Sequence, residues 1–228
     1  MPRTARAAPG GFVYHVLNRG VGRMRLFDKA RDYEAFEETL AETLAKVPLR
    51  VCGYCVMPNH WHFVLWPEAD DQLALFFQRL TVTHATRWVR AKRRVGYGHV
   101  YQGRFKSFPV EADEHFYQVL RYVERNALRA GLVRRAVDWR WGSLWIREQG
   151  TAEQKAWLSN WPVPRPRRWR EHVNAAQTDA ELEALRRSVQ RGAPYGGNSW
   201  TKSTTEELGL QATLRAPGRP RKNSPPEQ

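Results

Sequence analysis

The stretch that most limits what this chain can fold into is Met57-Pro58-Asn59-His60-Trp61-His62-Phe63-Val64-Leu65-Trp66. Pro58-Asn59 reads as a turn between two extended runs, with the β-branched and aromatic segment from Arg50 to Val56 before it. Phe63, Val64, Leu65 and Trp66 favour a pleated, half-buried surface. Alternate residues of a strand share a face, so His60 and His62 point one way and Trp61, Phe63 and Leu65 the other. The apolar three can anchor the strand while two imidazoles sit together on the open face. Two close imidazoles can hold a divalent cation. Two polar residues on a solvated face fit the same pattern, and this stretch alone leaves both readings open.

The charge balance points to a partner. The 228 residues carry 37 Lys+Arg against 23 Asp+Glu, a net charge of +14, for which nucleic acid is the leading counterpart. Arginine far outnumbers lysine, which suits forked phosphate contacts and stacking on bases. Ten tryptophans and eight tyrosines are either core or stacking platforms for unpaired bases. No apolar run reaches membrane-spanning length, and the N-terminus lacks the apolar segment of a signal peptide. With Cys52 and Cys55 the sole cysteines, a reducing cytoplasm is expected. These two spell C-x-x-C, but residues three apart on a strand face opposite sides, so the thiols are not expected to meet. A zinc site of Cys52, Cys55, His60 and His62 stays conceivable despite its unusual spacing.

The length suits one substantial domain plus an appendage. Residues 1–11 are expected to be flexible, 12–150 to form the main domain, and 151–177 to be a stiff basic linker rich in Pro, Trp and Arg. A small helical extension is expected over 178–214, opened by a capping box of Thr178 and Glu181, and a disordered basic tail over 215–228. Within the main domain, strands are expected at Phe12–Leu17, Leu49–Met57, His60–Trp66 and Arg104–Val110. A helix capped by Asp28 runs to about Lys46. A second runs from about Asp71 to Lys92, with Leu73, Phe76, Phe77, Leu80, His84 and Trp88 at helical spacing. Arg87, Arg90, Lys92, Arg93 and Arg94 cluster at its end as candidate phosphate contacts. On the fourth strand, Arg104, Lys106 and Phe108 could line a backbone groove with a base-stacking ring.

The third helix, from about Asp113 to Ala130, carries Phe116, Val119, Leu120, Val123 and Ala127 as its apolar stripe and ends at Gly131. Tyr122 and Asn126 are four apart on its flank and therefore neighbours. Tyr117, five residues from Tyr122, points elsewhere, so a two-tyrosine mechanism is not expected. Together the residues allow phosphoryl transfer. A cation held by His60, His62 and Asn126 would polarise a scissile phosphate, and Tyr122 would attack the phosphorus. Imidazole and amide ligands accept Mg²⁺ but suit Mn²⁺ better.

Four segments carry a resemblance. They are Tyr14-His15-Val16-Leu17-Asn18-Arg19-Gly20, Val56-Met57-Pro58-Asn59-His60-Trp61-His62, Gly98-His99-Val100-Tyr101-Gln102-Gly103-Arg104-Phe105-Lys106, and Tyr122 through Val133. Over roughly residues 10–145 the chain resembles the single-tyrosine HUH transposases, and among them the REP-associated tyrosine transposases. The resemblance implies an α+β fold, a ferredoxin-like αβ sandwich with a central antiparallel sheet. It implies His60, His62 and Asn126 as metal ligands for Mg²⁺ or Mn²⁺ and Tyr122 as nucleophile. It implies nicking and rejoining of single-stranded, hairpin DNA through a 5′-phosphotyrosine, by a monomer or a homodimer. Ala127 stands where the family commonly has proline, which could alter the placement of the third ligand. Arg19 and Arg129, inside these segments, join the other cations as candidate DNA contacts. Arg219 and Arg221 flank Pro220 in a tail that resembles an AT-hook core. A non-cleaving, domesticated hairpin-binding protein is the alternative function. A hydrolase using water would leave Tyr122 dispensable.

Overall fold

The computed structural model describes residues 8–215. Four strands, β1 (Val13–Arg19), β2 (Arg50–Met57), β3 (His60–Trp66) and β4 (Lys106–Val110), form one antiparallel sheet in the order β2-β3-β1-β4. Helices α1 (Ala30–Lys46) and α2 (Gln72–Ala91) connect β1 to β2 and β3 to β4. This β-α-β-β-α-β order is the ferredoxin-like arrangement expected. Helix α3 (Glu114–Glu124) and a short turn of helix, α4 (Asn126–Arg129), follow.

Each face of the sheet has its own core. Trp61, Phe63 and Leu65 are fully buried against Phe36 and Leu40 of α1 and Phe76, Phe77 and Leu80 of α2. Val64 of the opposite face packs with Phe116, Val119, Leu120 and Val123 of α3. The period-two pattern of β3 and the helical stripes of α2 and α3 therefore meet as their spacing predicts. The β2–β3 turn is pinned by its carbonyls: Gly20 N–H donates to the Asn59 carbonyl at 2.9 Å and Leu26 N–H to the Pro58 carbonyl at 2.8 Å.

Local details differ from expectation, each for a physical reason. Helix α1 begins at Ala30 rather than being capped by Asp28, because Asp32 Oδ2 accepts from the backbone N–H of both Asp28 and Lys29. Strand β1 runs on to Arg19, its last residue paired with His60. A bulge between Val51 and Gly53 puts Cys52 and Gly53 on the same side of β2, so Cys52 and Cys55 share one core instead of facing apart. The third helix is interrupted at Arg125 rather than continuous to Ala130, and Gly131 closes the segment at φ 70°.

Helices α5 (Ser143–Gln149), α6 (Ala152–Ala156), α7 (Trp169–Asn174), α8 (Asp179–Arg191) and α9 (Asn198–Glu207) follow, with a last turn, α10 (Gln211–Leu214). The stretch read as a linker, 151–177, is seated on the second core: Trp169 is buried and its indole N–H donates to Glu124 Oε2 at 2.7 Å. The α8 capping box forms as the sequence predicts, with Thr178 N–H donating to Glu181 Oε2 and Glu181 N–H to Thr178 Oγ1. Tyr195 then adds to the free edge of β4, its N–H donating to the Pro109 carbonyl and its carbonyl accepting from Glu111 N–H. Residues 1–7, the AT-hook-like segment, Arg219 and Arg221 lie outside the described residues.

Candidate active site

The site lies on the α3 side of the sheet, where register decides its floor. His60 and His62 of β3 lie opposite Arg19 and Leu17 of β1, and Leu17 in turn lies opposite Lys106 of β4. Strand pairs opposite one another present their side chains to the same face. Two imidazoles, a guanidinium and an ammonium therefore share one patch. Tyr122 from α3 closes over it, its ring centroid 5.8 Å from that of His62 in an edge-on arrangement. The His60 and His62 centroids are 5.0 Å apart.

These side chains line a cleft of about 460 Å³, together with Asn18, Gln102, Gly103, Arg104, Arg129 and, from α8, Val189 and Gln190. Tyr122 is only 7% exposed, yet its flank position on α3 turns it towards the cleft rather than into the apolar stripe. The Arg129 guanidinium lies 4.1 Å from the Tyr122 ring centroid, and its Nη2 donates to Asn126 Oδ1 at 3.0 Å. A cation so placed packs on the face of the phenol ring and orients it.

Both histidines are held neutral. Burial, and then the charges of Arg19 and Arg129, push His60 down to about 4. Burial first, then His60, His15 and the same two arginines, push His62 well below the ordinary histidine range. A neutral imidazole is the form that ligates a cation. His60 Nδ1 is tied to Asn59 Oδ1 at 2.6 Å and His62 Nδ1 to His15 Nε2 at 2.9 Å. The donor set thus fits a divalent cation at the two imidazoles. Asn126 is buried and does not itself line the cleft. Its Oδ1, engaged by Arg129, keeps one lone pair, while its Nδ2 is buried without a partner among the described residues.

The other expected residues separate. Arg19, Arg104, Lys106 and Arg129 line the cleft. Arg87 is instead spent on α1, bonding Glu42 through two nitrogens at 3.0 and 2.8 Å. Arg90, in the last turn of α2, and Arg93 and Arg94, beyond its end, are exposed, with Arg94 over the Tyr97 ring, and do not line the cleft. Phe108 cannot act as a base-stacking ring, since it is 1% exposed and covered by His15. His84 is a core residue, accepting from the Tyr101 hydroxyl at 2.7 Å. Burial pushes both cysteine thiols up to about 12, and among the described residues no cluster of metal-ligating groups unites them with His60 and His62.

One further group is compatible with a cation. Glu111, Asp113 and His115, at the junction of β4 and α3, bring ligand atoms within 4.8 Å of one another. Glu111 Oε2 already accepts from Gly197 N–H at 2.7 Å, and Asp113 Oδ1 caps α3 through His115 N–H at 2.8 Å. None of the three lines the cleft. Sequence reasoning missed His15 as a partner of His62, and it missed Val189 and Gln190. The first is legible only once the β1–β3 register is known. The others carry no local signal of where α8 docks.

Among the described residues no helix is long and apolar enough to cross a membrane. No curated protein matches the chain. Among solved structures, a REP-associated tyrosine transposase bound to a REP hairpin is similar at 19% identity and a TM-score of 0.50, covering 63% of this chain and 82% of that one. A candidate transposase from Deinococcus radiodurans R1 aligns at 14% identity with a TM-score of 0.38, covering 57% of this chain and 95% of that one, too loose a likeness to bear on the site. The first likeness shows the fold. The sequence model of the IS200-like transposases matches residues 11–126, just over half of the chain, and the protein belongs to that family of DNA-cleaving, strand-transferring enzymes.

Proposed function

We propose that this transposase nicks and rejoins single-stranded DNA through a 5′-phosphotyrosine on Tyr122, acting on hairpins of the REP type. The observation that carries the reading is that Tyr122 and two neutral imidazoles open on one cleft ringed by cations. Arg19, Arg104 and Lys106 hold backbone phosphates there, forked guanidinium contacts fixing the strand against the sheet. Arg129 keeps the Tyr122 ring in place by stacking.

The Tyr122 oxygen attacks the phosphorus, a bond to the 5′ side of the strand forms, and the bond from phosphorus to the 3′ oxygen breaks. In net, the phenol proton ends on the departing 3′ oxygen. A free phenol titrates near ~10, so the attack needs help in shedding that proton. His60 and His62 would hold Mg²⁺ or Mn²⁺, with Asn126 as third ligand once its Oδ1 turns from Arg129 to the cleft; the bound ion would neutralise charge on the scissile phosphate. The link keeps the energy of the broken bond, so a 3′-hydroxyl can reverse the step without a nucleotide triphosphate. Tyr122 meets His62 within its own chain, their ring centroids 5.8 Å apart, which supports action as a monomer. We place the catalytic unit at residues 12–150, with 178–214 as an extension that walls the cleft, and the enzyme in the cytoplasm.

The test is incubation with hairpin oligonucleotides taken from DNA flanking the protein's own gene. Denaturing electrophoresis should show cleavage and a slow protein–DNA adduct with Mg²⁺ or Mn²⁺, both lost in EDTA. Tight hairpin binding without cleavage under either cation would overturn the reading in favour of a non-cleaving binder.

A further inference from the structure

We infer that His15 is a positioning residue for His62, holding it in the tautomer that can ligate a cation. The inference rests on the reading of His60 and His62 as metal ligands. His15 lies two residues along β1 from Leu17, the partner of His62 in the ladder, and so faces the same side of the sheet. Its Nε2 stands 2.9 Å from His62 Nδ1, with ring centroids 5.0 Å apart. The two nitrogens of an imidazole point in divergent directions, so engaging Nδ1 leaves Nε2 of His62 for the cleft.

One proton lies between the two rings. When it sits on His62 Nδ1, His62 Nε2 carries a lone pair and can bind a cation. When it sits on His15 Nε2, a neutral His62 must carry its own proton on Nε2 and cannot. Ligating histidines ordinarily donate their second N–H to a carboxylate, a carbonyl or water. At this depth a carboxylate would be a buried charge among apolar side chains, whereas a neutral imidazole accepts the same hydrogen bond at lower desolvation cost.

The cost of His15 supports the role. The residue is fully buried, its ring lies 4.8 Å from that of Phe108, and its Nδ1 has no hydrogen-bond partner among the described residues. A leucine of similar volume would remove an orphaned polar atom from the core, so packing does not by itself select histidine here. Among the described residues, the one polar contact His15 makes is with His62.

Two measurements test this. Long-range ¹H–¹⁵N correlation spectra of the metal-free wild type should show His62 protonated on Nδ1. Protonation on Nε2 would overturn the inference, and this result needs no substitution. Calorimetric titration with Mn²⁺ should show His15→Leu binding about 10- to 100-fold more weakly than wild type, while melting no lower. His15→Gln, whose side-chain oxygen can accept from Nδ1–H, should recover most of the affinity. Equal affinity in wild type and His15→Leu would overturn the role of His15 alone. No Mn²⁺ binding by the wild type would overturn the metal-ligand reading and this inference with it.

Discussion

Buried imidazoles in this protein serve different ends, and hydrogen-bond direction tells them apart. Trp61 Nε1 donates to the Tyr101 hydroxyl at 3.2 Å, which leaves the one proton of that hydroxyl for His84 Nδ1, 2.7 Å away. The chain ends on a lone pair, so protonating His84 would break it inside the α1–α2 core. Burial pushes His84 down to about 4, against about 6.5 when unfolded. Between those values the unfolded chain binds the extra proton. Stability from this residue is therefore complete above pH 6.5 and lost as pH falls towards 4. Replacing His84 with Asn, which keeps an acceptor near Nδ1, should shrink the drop in unfolding free energy between pH 7 and 4.5 by about 2–3 kcal/mol. Urea titration at both pH values checks it, and an unchanged drop would contradict it. The core role of His84 was legible from its place on the apolar stripe of α2. The role of His62 needed its neighbours, because a lone His-x-His on a strand fits a solvated face equally well.

At the scale of elements, periodicity carried most of the fold. β3 and the stripes of α2 and α3 repeat at the spacing their burial needs, so these elements were legible in the sequence, while their assembly into a sandwich was implied by the family resemblance alone. The bulge in β2 was not legible, because it is set by tertiary fit: a Cβ on Gly53 would stand 2.4 Å from Leu120 Cδ1 and 2.9 Å from Ser143 Oγ. That close approach brings Ser143 Oγ to Glu124 Oε1 at 2.6 Å, completing with Trp169 the partners of a fully buried carboxylate. The same network explains why a Pro- and Arg-rich stretch packs instead of dangling. Its composition signals a linker, but one indole N–H satisfies a charge that α3 has carried into the core. Trp169→Phe keeps most of the apolar volume and removes that donor. It should lower the unfolding free energy by roughly 2–3 kcal/mol, the cost of an under-satisfied buried carboxylate. Unaltered stability in urea would show that the hydrogen bond carries no such weight.

Taken whole, the molecule assembles one cleft from three distant parts of the chain. The sheet supplies His60, His62, Arg19 and Lys106, the α3–α4 segment supplies Tyr122 and Arg129, and α8 supplies Val189 and Gln190. Local spacing singled out the histidines and the tyrosine, since each sits on a strongly patterned element. It did not reveal that the C-terminal extension borders them, because the α8 capping box fixes where a helix starts and not what it touches. Nor did it separate Arg104 and Lys106, at the cleft, from Arg87, which is neutralised by Glu42. The account turns on a covalent bond at one oxygen atom. Mass spectrometry of the adduct formed with a cleavable hairpin, after proteolysis, tests this most directly. The account predicts an oligonucleotide linked by its 5′-phosphate to Tyr122 and no adduct at all with Tyr122→Phe. An oligonucleotide attached to any other residue, or an adduct that persists in Tyr122→Phe, would contradict it.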